Sequence, residues 1–541
     1  MSRELAAPSA IARPLEKIRD ALPPWIVVSA ALILLTLLVL APDDALDGRA
    51  GAVKLSFHLG LSGTFANDEQ GPLLLLILVV SVIATAAVPA THRPLVHLAA
   101  GVLAVGLLLG PVPLAGLIVV NVATYLWLEL RRPGWVHGLG VLIAVVLWLV
   151  GEPRALVAGT LCLAAIPGER LFAGRPTARR YLSLLVVHAI PLGLFVVAMG
   201  DMLDVNSSFR APLWVILAGW QWWRLVLYRA DRLGDDWREE ISFLRFCWTL
   251  MGLGFFVHMN MYYYIGKGHR YIEKRTRPDR HGDTMRRGAW LMLWAVVLLT
   301  LYGWVEGWAE DLANVLDVSS LSGYDLLGDS VRAGVSITRA DVLFVGLRSL
   351  LVAFFFFAGL SHLKVSIWRL HGYDLEPHFR FPFLSTNLVT LWSRWFYYYR
   401  EFLIRAFYWP TFFTFFRNSP RLRVCFATFV AAGLGNQIAH LVIYLLIGQS
   451  SDMDIERLLS YTPYYVLLGG SIAATQFYLL MRGRRRRKPW TRGPAMLVDV
   501  ASVAAVFLHL SIIRVFTHTW TTGDWMATPL RMIRALIVGE A

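Results

Sequence analysis

The chain has 541 residues, 57% of them hydrophobic and 16% charged, with a mean hydropathy of +0.55. A soluble chain of this length would form three or four domains of about 150 residues and place charges at about a quarter of its positions. The composition therefore excludes a string of soluble globules and implies a polytopic membrane protein. The 51 Lys and Arg against 37 Asp and Glu leave a net charge of +14. No aromatic-basic recognition motif accompanies that charge, so no nucleic-acid partner is expected. It reads instead as cytoplasmic loops and contact with anionic membrane lipids.

In chain order, a basic N-terminal stretch precedes the apolar run 25–41, which ends on Pro42-Asp43-Asp44 and not on a small-residue cleavage site. It is expected to be an uncleaved first span with its N-terminus in the cytoplasm. Runs at 72–90, 95–109 and 114–130 follow, each near the roughly 20 residues that cross a hydrocarbon core. The first 200 residues are rich in Val, Leu and Ala, hold almost no ionisable residue inside their spans, and are expected to offer no chemistry. Loop charge then orients the path. The basic loops 169–180 and 267–287 suit the inside, and the acidic loops 200–212 and 306–341 suit the outside. The apolar stretch 241–265 would begin and end on the same side, which predicts a re-entrant or broken helix lining a cavity.

A clear span at 342–360 leads into 361–423, too polar for lipid and too aromatic for a solvent loop. Charges at mid-bilayer cost about 2.5–3.5 kcal/mol each even on a lenient scale. Lys364, Arg369, Asp374, Arg394, Arg400, Glu401 and Arg405 are therefore expected to face a cavity or the interface. A further span at 424–447 carries His440, and Arg484-Arg485-Arg486-Arg487-Lys488 follows the run ending near Met481. The expected fold is all-α, with about 13 to 15 transmembrane or re-entrant helices. Cys162, Cys247 and Cys425 all lie in apolar stretches with no CxxC pair, so neither a disulfide framework nor a structural metal is expected.

Several short motifs occur in order over this region. They are Ala358-Gly359-Leu360-Ser361-His362, Arg369-Leu370-His371-Gly372-Tyr373-Asp374-Leu375, Pro377-His378-Phe379-Arg380-Phe381-Pro382-Phe383, Leu391-Trp392-Ser393-Arg394-Trp395, and Gly433-Leu434 ahead of His440. Together they resemble the membrane-bound O-acyltransferase family, and more closely its bacterial polysaccharide O-acetylase and D-alanyl transfer branch. That branch carries a GYSD-type run, an FWxRWH element and a GLWHG element. The chain departs from it at His362, where the branch has an acidic residue. It departs again at Phe396, where FWxRWH ends in histidine, and at Gly435-Asn436-Gln437, which shifts the last histidine along. Upstream, Trp220-Gln221-Trp222-Trp223 with Tyr228 and Asp231 is similar to the family's FQxxSYxxDxxR stretch. The resemblance implies an acyltransferase core over 209–482, added N-terminal helices over 1–208, and a basic loop, last span and tail over 483–541.

His440 is the expected general base. A neutral alcohol is a poor nucleophile, and imidazole can accept its proton near neutral pH. Asn436 and Gln437, one turn back, are candidates to orient the ring or to donate to a developing oxyanion. Supporting or substrate-binding candidates are Asn387, His362, His378, Trp392, Arg394, Trp395 and Arg400. The two arginines are candidates for the phosphates of a coenzyme A donor. Each has a plainer reading: Asn387 as a helix cap, His362 and His378 as interface residues, and the arginines as contacts to lipid headgroups. His188, His258 and His509 are assigned to packing.

The resemblance implies no permanently bound cofactor and an acyl thioester as donor substrate. Its acceptor would be an exported saccharide, or a secreted partner protein, at the bacterial inner membrane. A flippase for a lipid-linked saccharide and a catalytically degenerate scaffold are the competing readings. Phe396 supports the scaffold.

Overall fold

The computed structural model describes residues 23–40, 70–109, 241–251, 278–315, 336–440, 461–482, 494–514 and 527–539, with a few single positions between them. Among the described residues the regular structure is helical, and one isolated antiparallel bridge pairs Thr276 with Tyr373. In chain order the helices are α1 (Pro24–Leu40), α2 (Gln70–Ala87), α3 (Arg93–Leu109), α4 (Phe243–Met251), α5 (His281–Val315) and α6 (Arg339–Leu370). Next come α7 (Leu388–Arg394), α8 (Tyr397–Leu403), α9 (Trp409–Thr414), α10 (Pro420–Phe429), α11 (Thr462–Arg482), α12 (Pro494–Arg514) and α13 (Ala527–Val538).

Among the described residues, five helical segments are long and apolar enough to cross a membrane: His281–Val305, Arg339–Leu370, Pro420–His440, Thr462–Arg482 and Met496–Arg514. Shorter apolar helices run Pro24–Leu34, Pro72–Ala87 and Arg93–Leu107. The chain is an all-α integral membrane protein. The expected spans at 25–41, 72–90 and 95–109 coincide with α1, α2 and α3 to within a few residues. Most of the expected re-entrant stretch 241–265 and the expected span 114–130 lie outside the described residues, as do Cys162, His188 and His258.

α5 and α6 form the central antiparallel pair. α1 packs on α5, and α2 packs on both α1 and α3. Their buried side chains, including Val27, Leu78, Ala104, Ala289, Met292, Leu299, Leu363 and Ile367, merge into one cluster with Tyr373, Leu375 and Tyr398. The first hundred residues thus share a core with the polar segment. A second cluster joins Leu350 of α6 to α7, α11 and α12 through Leu388, Leu391, Ile472, Val506, Phe507 and Leu510.

The span expected at 342–360 is longer than its apolar run. α6 starts with a capping box, in which Thr338 accepts from the Asp341 N–H and Asp341 Oδ2 accepts from the Thr338 N–H at 2.7 Å. It then runs without a break to Leu370. The extension carries Ser361, Lys364, Ser366 and Arg369, all buried. Arg369 Nε donates to the Leu375 carbonyl at 2.8 Å, so the polar turns face protein and not lipid.

Beyond α6 the chain proceeds in short pieces: a 3-10 turn (Pro382–Leu384), α7, α8, a π-helical turn (Ile404–Tyr408) and α9. Its corners are phenylalanines in the left-handed region, Phe381 at φ 50°, Phe396 at φ 48° and Phe416 at φ 50°. That conformation costs a residue with a side chain about 1–2 kcal/mol and persists where surrounding packing enforces it. Phe396, for example, lies against Phe357, His378, Phe379, Trp395 and Tyr399.

Candidate active site

The turn after α6 is fixed by charge. Asp374 pairs with Arg287 at 3.0 Å, and Glu376 is shared by Arg275 at 3.4 Å and Arg380 at 2.8 Å. This delivers His378 to the start of α8. The Tyr397 N–H donates to the His378 carbonyl at 2.8 Å, and the Tyr398 N–H points to His378 Nδ1 at 3.3 Å. The Tyr398 ring stacks on the imidazole at 5.6 Å, and its hydroxyl donates to the Glu376 carbonyl at 2.8 Å. Burial, with His362 and Lys364 facing it, holds His378 well below the usual histidine range. That agrees with an Nδ1 that accepts and carries no proton. Burial likewise pushes the Tyr271 hydroxyl, beside Tyr398, up to about 12. His378 is thus built into the folding of this turn.

His440 lies beyond a π-helical turn, Val430–Leu434, that follows α10. Such a turn inserts one residue into the helical repeat and re-aims the side chains after it, a device frequent at functional sites. Here Asn436 and His440, four residues apart, face α8 and α11. Tyr399 Oη donates to Asn436 Oδ1 at 2.6 Å. The His440 ring stands edge-on to Tyr399 at 6.2 Å and tilts over Tyr465 at 5.1 Å. The two histidines are joined by a ladder of rings, with His378 to Phe396 at 5.3 Å, Phe396 to Tyr399 at 6.4 Å and Tyr399 to His440 at 6.2 Å. Asn436 is buried with its carbonyl oxygen held by Tyr399, so its NH₂ is the end that can donate. Gln437 is half-buried on the same turn.

The other expected residues divide. Asn387 is the N-cap of α7, accepting from the Thr390 N–H at 2.9 Å and the Thr390 hydroxyl at 3.0 Å. Replacing it with alanine is expected to cost about 1 kcal/mol, seen as a lower midpoint of unfolding. Lost activity at an unchanged midpoint would instead give Asn387 a role beyond the cap. Trp395 packs on Phe354 and Phe379, and Trp392 lies where the second core meets the Tyr399 and Leu403 cluster.

Arg400 is turned inward. It donates to the Ser393 carbonyl at 2.7 Å and to Glu401 at 2.9 Å, over the Tyr397 ring. Arg394 reaches the Phe381 carbonyl at 3.4 Å. Both guanidiniums are thus engaged by the protein's own oxygens. His362 has its Nδ1 buried with no hydrogen-bond partner among the described residues. His509 bonds Ser471 across α11 and α12 at 2.9 Å, a packing contact.

A polar network that the sequence did not disclose lies at the opposite side of the 371–375 turn. His371 Nδ1 donates to the Ile367 carbonyl at 2.8 Å, and its Nε2 meets Ser81 Oγ at 2.8 Å. The Thr85 hydroxyl donates to the Ser81 carbonyl at 2.7 Å, so in a neutral His97 it is Nε2 that donates to Thr85 Oγ1 at 3.2 Å. His97 Nδ1 then accepts from the Tyr373 hydroxyl at 2.8 Å. Ser81, Thr85, His97 and His371 are all fully or nearly fully buried. The N-terminal helices, expected to offer no chemistry, thus contribute buried hydrogen-bonding side chains to this turn. The legible signal was Ser81 and Thr85, one turn apart on α2, with His97 in the next apolar run.

No protein-family model and no curated protein matches the chain. Fold and site define a class, an all-α integral membrane protein with a buried polar and aromatic interior. Among the described residues no group of three or more His, Cys, Asp or Glu is placed to hold a metal ion, and Cys247 and Cys425 are free thiols.

Proposed function

We propose that the protein is a membrane-embedded O-acyltransferase that moves an acyl group, of acetyl size, from a cytoplasmic acyl-CoA to a hydroxyl of an exported saccharide or a partner protein. The observation that carries this reading is the Tyr399, Asn436 and His440 constellation. It is a histidine one turn beyond a buried amide, on a membrane-spanning segment and just after a π-helical turn. It falls where the chain's motifs resemble the membrane-bound O-acyltransferase family. His440 takes the proton of the attacking hydroxyl as its oxygen bonds to the thioester carbonyl carbon. The Asn436 NH₂ stabilises the tetrahedral oxyanion, and collapse expels the thiolate, which takes up the proton. The basic loops support an N-terminus on the cytoplasmic side, and the family resemblance supports a bacterial inner membrane.

The test is purified protein in proteoliposomes with acetyl-CoA labelled in the acetyl group, followed by recovery of label on added polysaccharide or protein. Label that stays on the donor overturns the reading.

The scaffold reading has one specific observation in its favour, Phe396 in the place of the family's other histidine. Histidine is among the residues better tolerated at positive φ, so Phe396→His is expected to unfold at or above the wild-type midpoint. Transfer by wild type and variant alike supports an enzyme that works without that histidine. Transfer by the variant alone identifies a chain that has lost the reaction and kept the fold.

A further inference from the structure

The span Pro420–His440 begins where the span Thr462–Arg482 ends, because Arg421 Nη1 of the first donates to Met481 Sδ of the second at 3.3 Å. Arg417 and Arg423 flank Arg421 in the chain, and Arg482 follows Met481. Arg417, Arg421 and Arg482 are exposed. The Arg423 guanidinium lies over the Phe412 ring at 4.3 Å, and Arg482 Nη1 donates to the Tyr478 hydroxyl at 3.2 Å. Elsewhere the described arginines of this half are neutralised: Arg275, Arg287, Arg380 and Arg400 each meet a carboxylate. Here none is at hand. The sequence has no Asp or Glu from 402 to 451 or from 457 to 498, and it runs on from Arg482 into Arg484-Arg485-Arg486-Arg487-Lys488.

The same corner exposes large rings. Phe413, Phe415 and Phe416 are each about half exposed, with Trp409 and Leu422 beside them in the chain and exposed as well. Trp409 stacks on Phe413 at 5.7 Å, and Phe415 and Phe416 both lean on Phe426 of α10, at 5.5 and 5.1 Å. Phe416 turns the chain at φ 50°, a strained conformation of the kind that gathers at sites where a ligand is held. It brings two adjacent aromatic side chains outward immediately before the four arginines.

Depth in the membrane identifies what covers this surface. Rings and cations together stand at the ends of two membrane-spanning segments, the level at which lipid headgroups meet the acyl chains. An apolar face that carries arginine on its polar side suits such a boundary, where anionic headgroups supply the missing negative charge. We propose that the corner between α9 and α10, with the end of α11, is a binding surface for anionic phospholipid. Phe413, Phe415 and Phe416 enter the edge of the acyl-chain region, and Arg417, Arg421 and Arg482 hold the phosphates. The proposal is independent of acyl transfer.

The test uses the full-length protein, delipidated in detergent and offered phosphatidylglycerol or phosphatidylcholine of the same acyl chains, with retention read by native mass spectrometry. Phosphatidylglycerol is expected to be retained in preference. Arg421→Gln should lower that preference about fivefold, the worth of one cation at an anionic surface, and Arg417→Gln with Arg421→Gln should lower it further. Arg421→Lys keeps the charge and should keep the preference. Phe413→Ser with Phe415→Ser should lower retention of both lipids together. Arg534→Gln, at an exposed arginine of α13, is the control and should change nothing. These arginines are exposed, so the unfolding midpoints should match wild type, and Arg417→Gln carries the comparison if Arg421→Gln lowers its own. Equal retention of the two lipids by wild type, an unchanged preference in the arginine variants, or an equal fall in Arg534→Gln overturns the site. Thermal protection by inorganic phosphate that Arg421→Gln abolishes, with no preference between the lipids, assigns the surface to a soluble phosphate and overturns the lipid.

Discussion

Gly469→Val is expected to break the contact between α10 and α11, with a lower unfolding midpoint in detergent and loss of any activity that depends on His440. A Cβ at Gly469 would lie 2.7 Å from both Gly433 Cα and Gly433 N and 3.0 Å from the Phe429 carbonyl oxygen. All three atoms are backbone, so no rotamer can relieve the clash, and the helices must separate. Helix pairs in membranes rely on such close approach of small residues, because lipid supplies no hydrophobic drive between them. Overpacking a tight site by even small groups costs about 1–3 kcal/mol, and valine adds more than one. Separation would also draw Tyr465 away from His440, which it contacts at 5.1 Å. Gly470 is the internal control, since a Cβ there meets nothing within 4 Å. Gly470→Ala should leave the midpoint unchanged. Equal midpoints for Gly469→Val and wild type would show that the two helices do not cross as described.

Particular residues show what could be read from the sequence. α1, α2 and α3 were legible because an uninterrupted apolar run of about 20 residues has few destinies other than a buried or membrane-spanning helix. The end of α6 was not. Lys364 and Arg369 look like the end of a span, yet both are buried, and Arg369 lies against Gly288 of α5, about eighty residues away in the chain. Asn387 was legible as a cap, because capping involves only the next three residues. The His97 to Tyr373 bond joins positions 276 residues apart, and no local pattern announces a pairing at that range. The left-handed phenylalanines at 381, 396 and 416 were hidden for a different reason. Aromatic residues have no preference for that region, so only the packing around them selects it. At the candidate site, the residue types were legible but their commitments were not. Arg400, a candidate for the donor phosphates or for lipid headgroups, is turned to Glu401 and the Ser393 carbonyl.

His440→Ala is expected to lower acyl transfer by about 10² to 10⁴, the range for loss of a general base, without a matching change in stability. The reason to expect both halves is geometric. The imidazole contacts Tyr399 and Tyr465 through ring edges and faces, while the strong polar bond of the site runs past it, from Tyr399 to Asn436 at 2.6 Å. Removing His440 leaves that bond intact. Tyr399→Phe reverses the pattern, because it strands the buried Asn436 carbonyl, at a cost of about 1–3 kcal/mol. It lets the amide rotate away from the place where an oxyanion would form, so the variant should lose stability and turnover together. His440→Gln separates ring from proton chemistry, since it fills most of the volume but cannot act as a base. If His440 is a packing residue, alanine lowers the midpoint, glutamine largely restores it, and transfer follows stability in both. If it is the base, transfer is lost in both variants at nearly wild-type midpoints, and the acid limb of the pH-rate profile disappears from the residual activity. The two patterns cannot be produced by the same role.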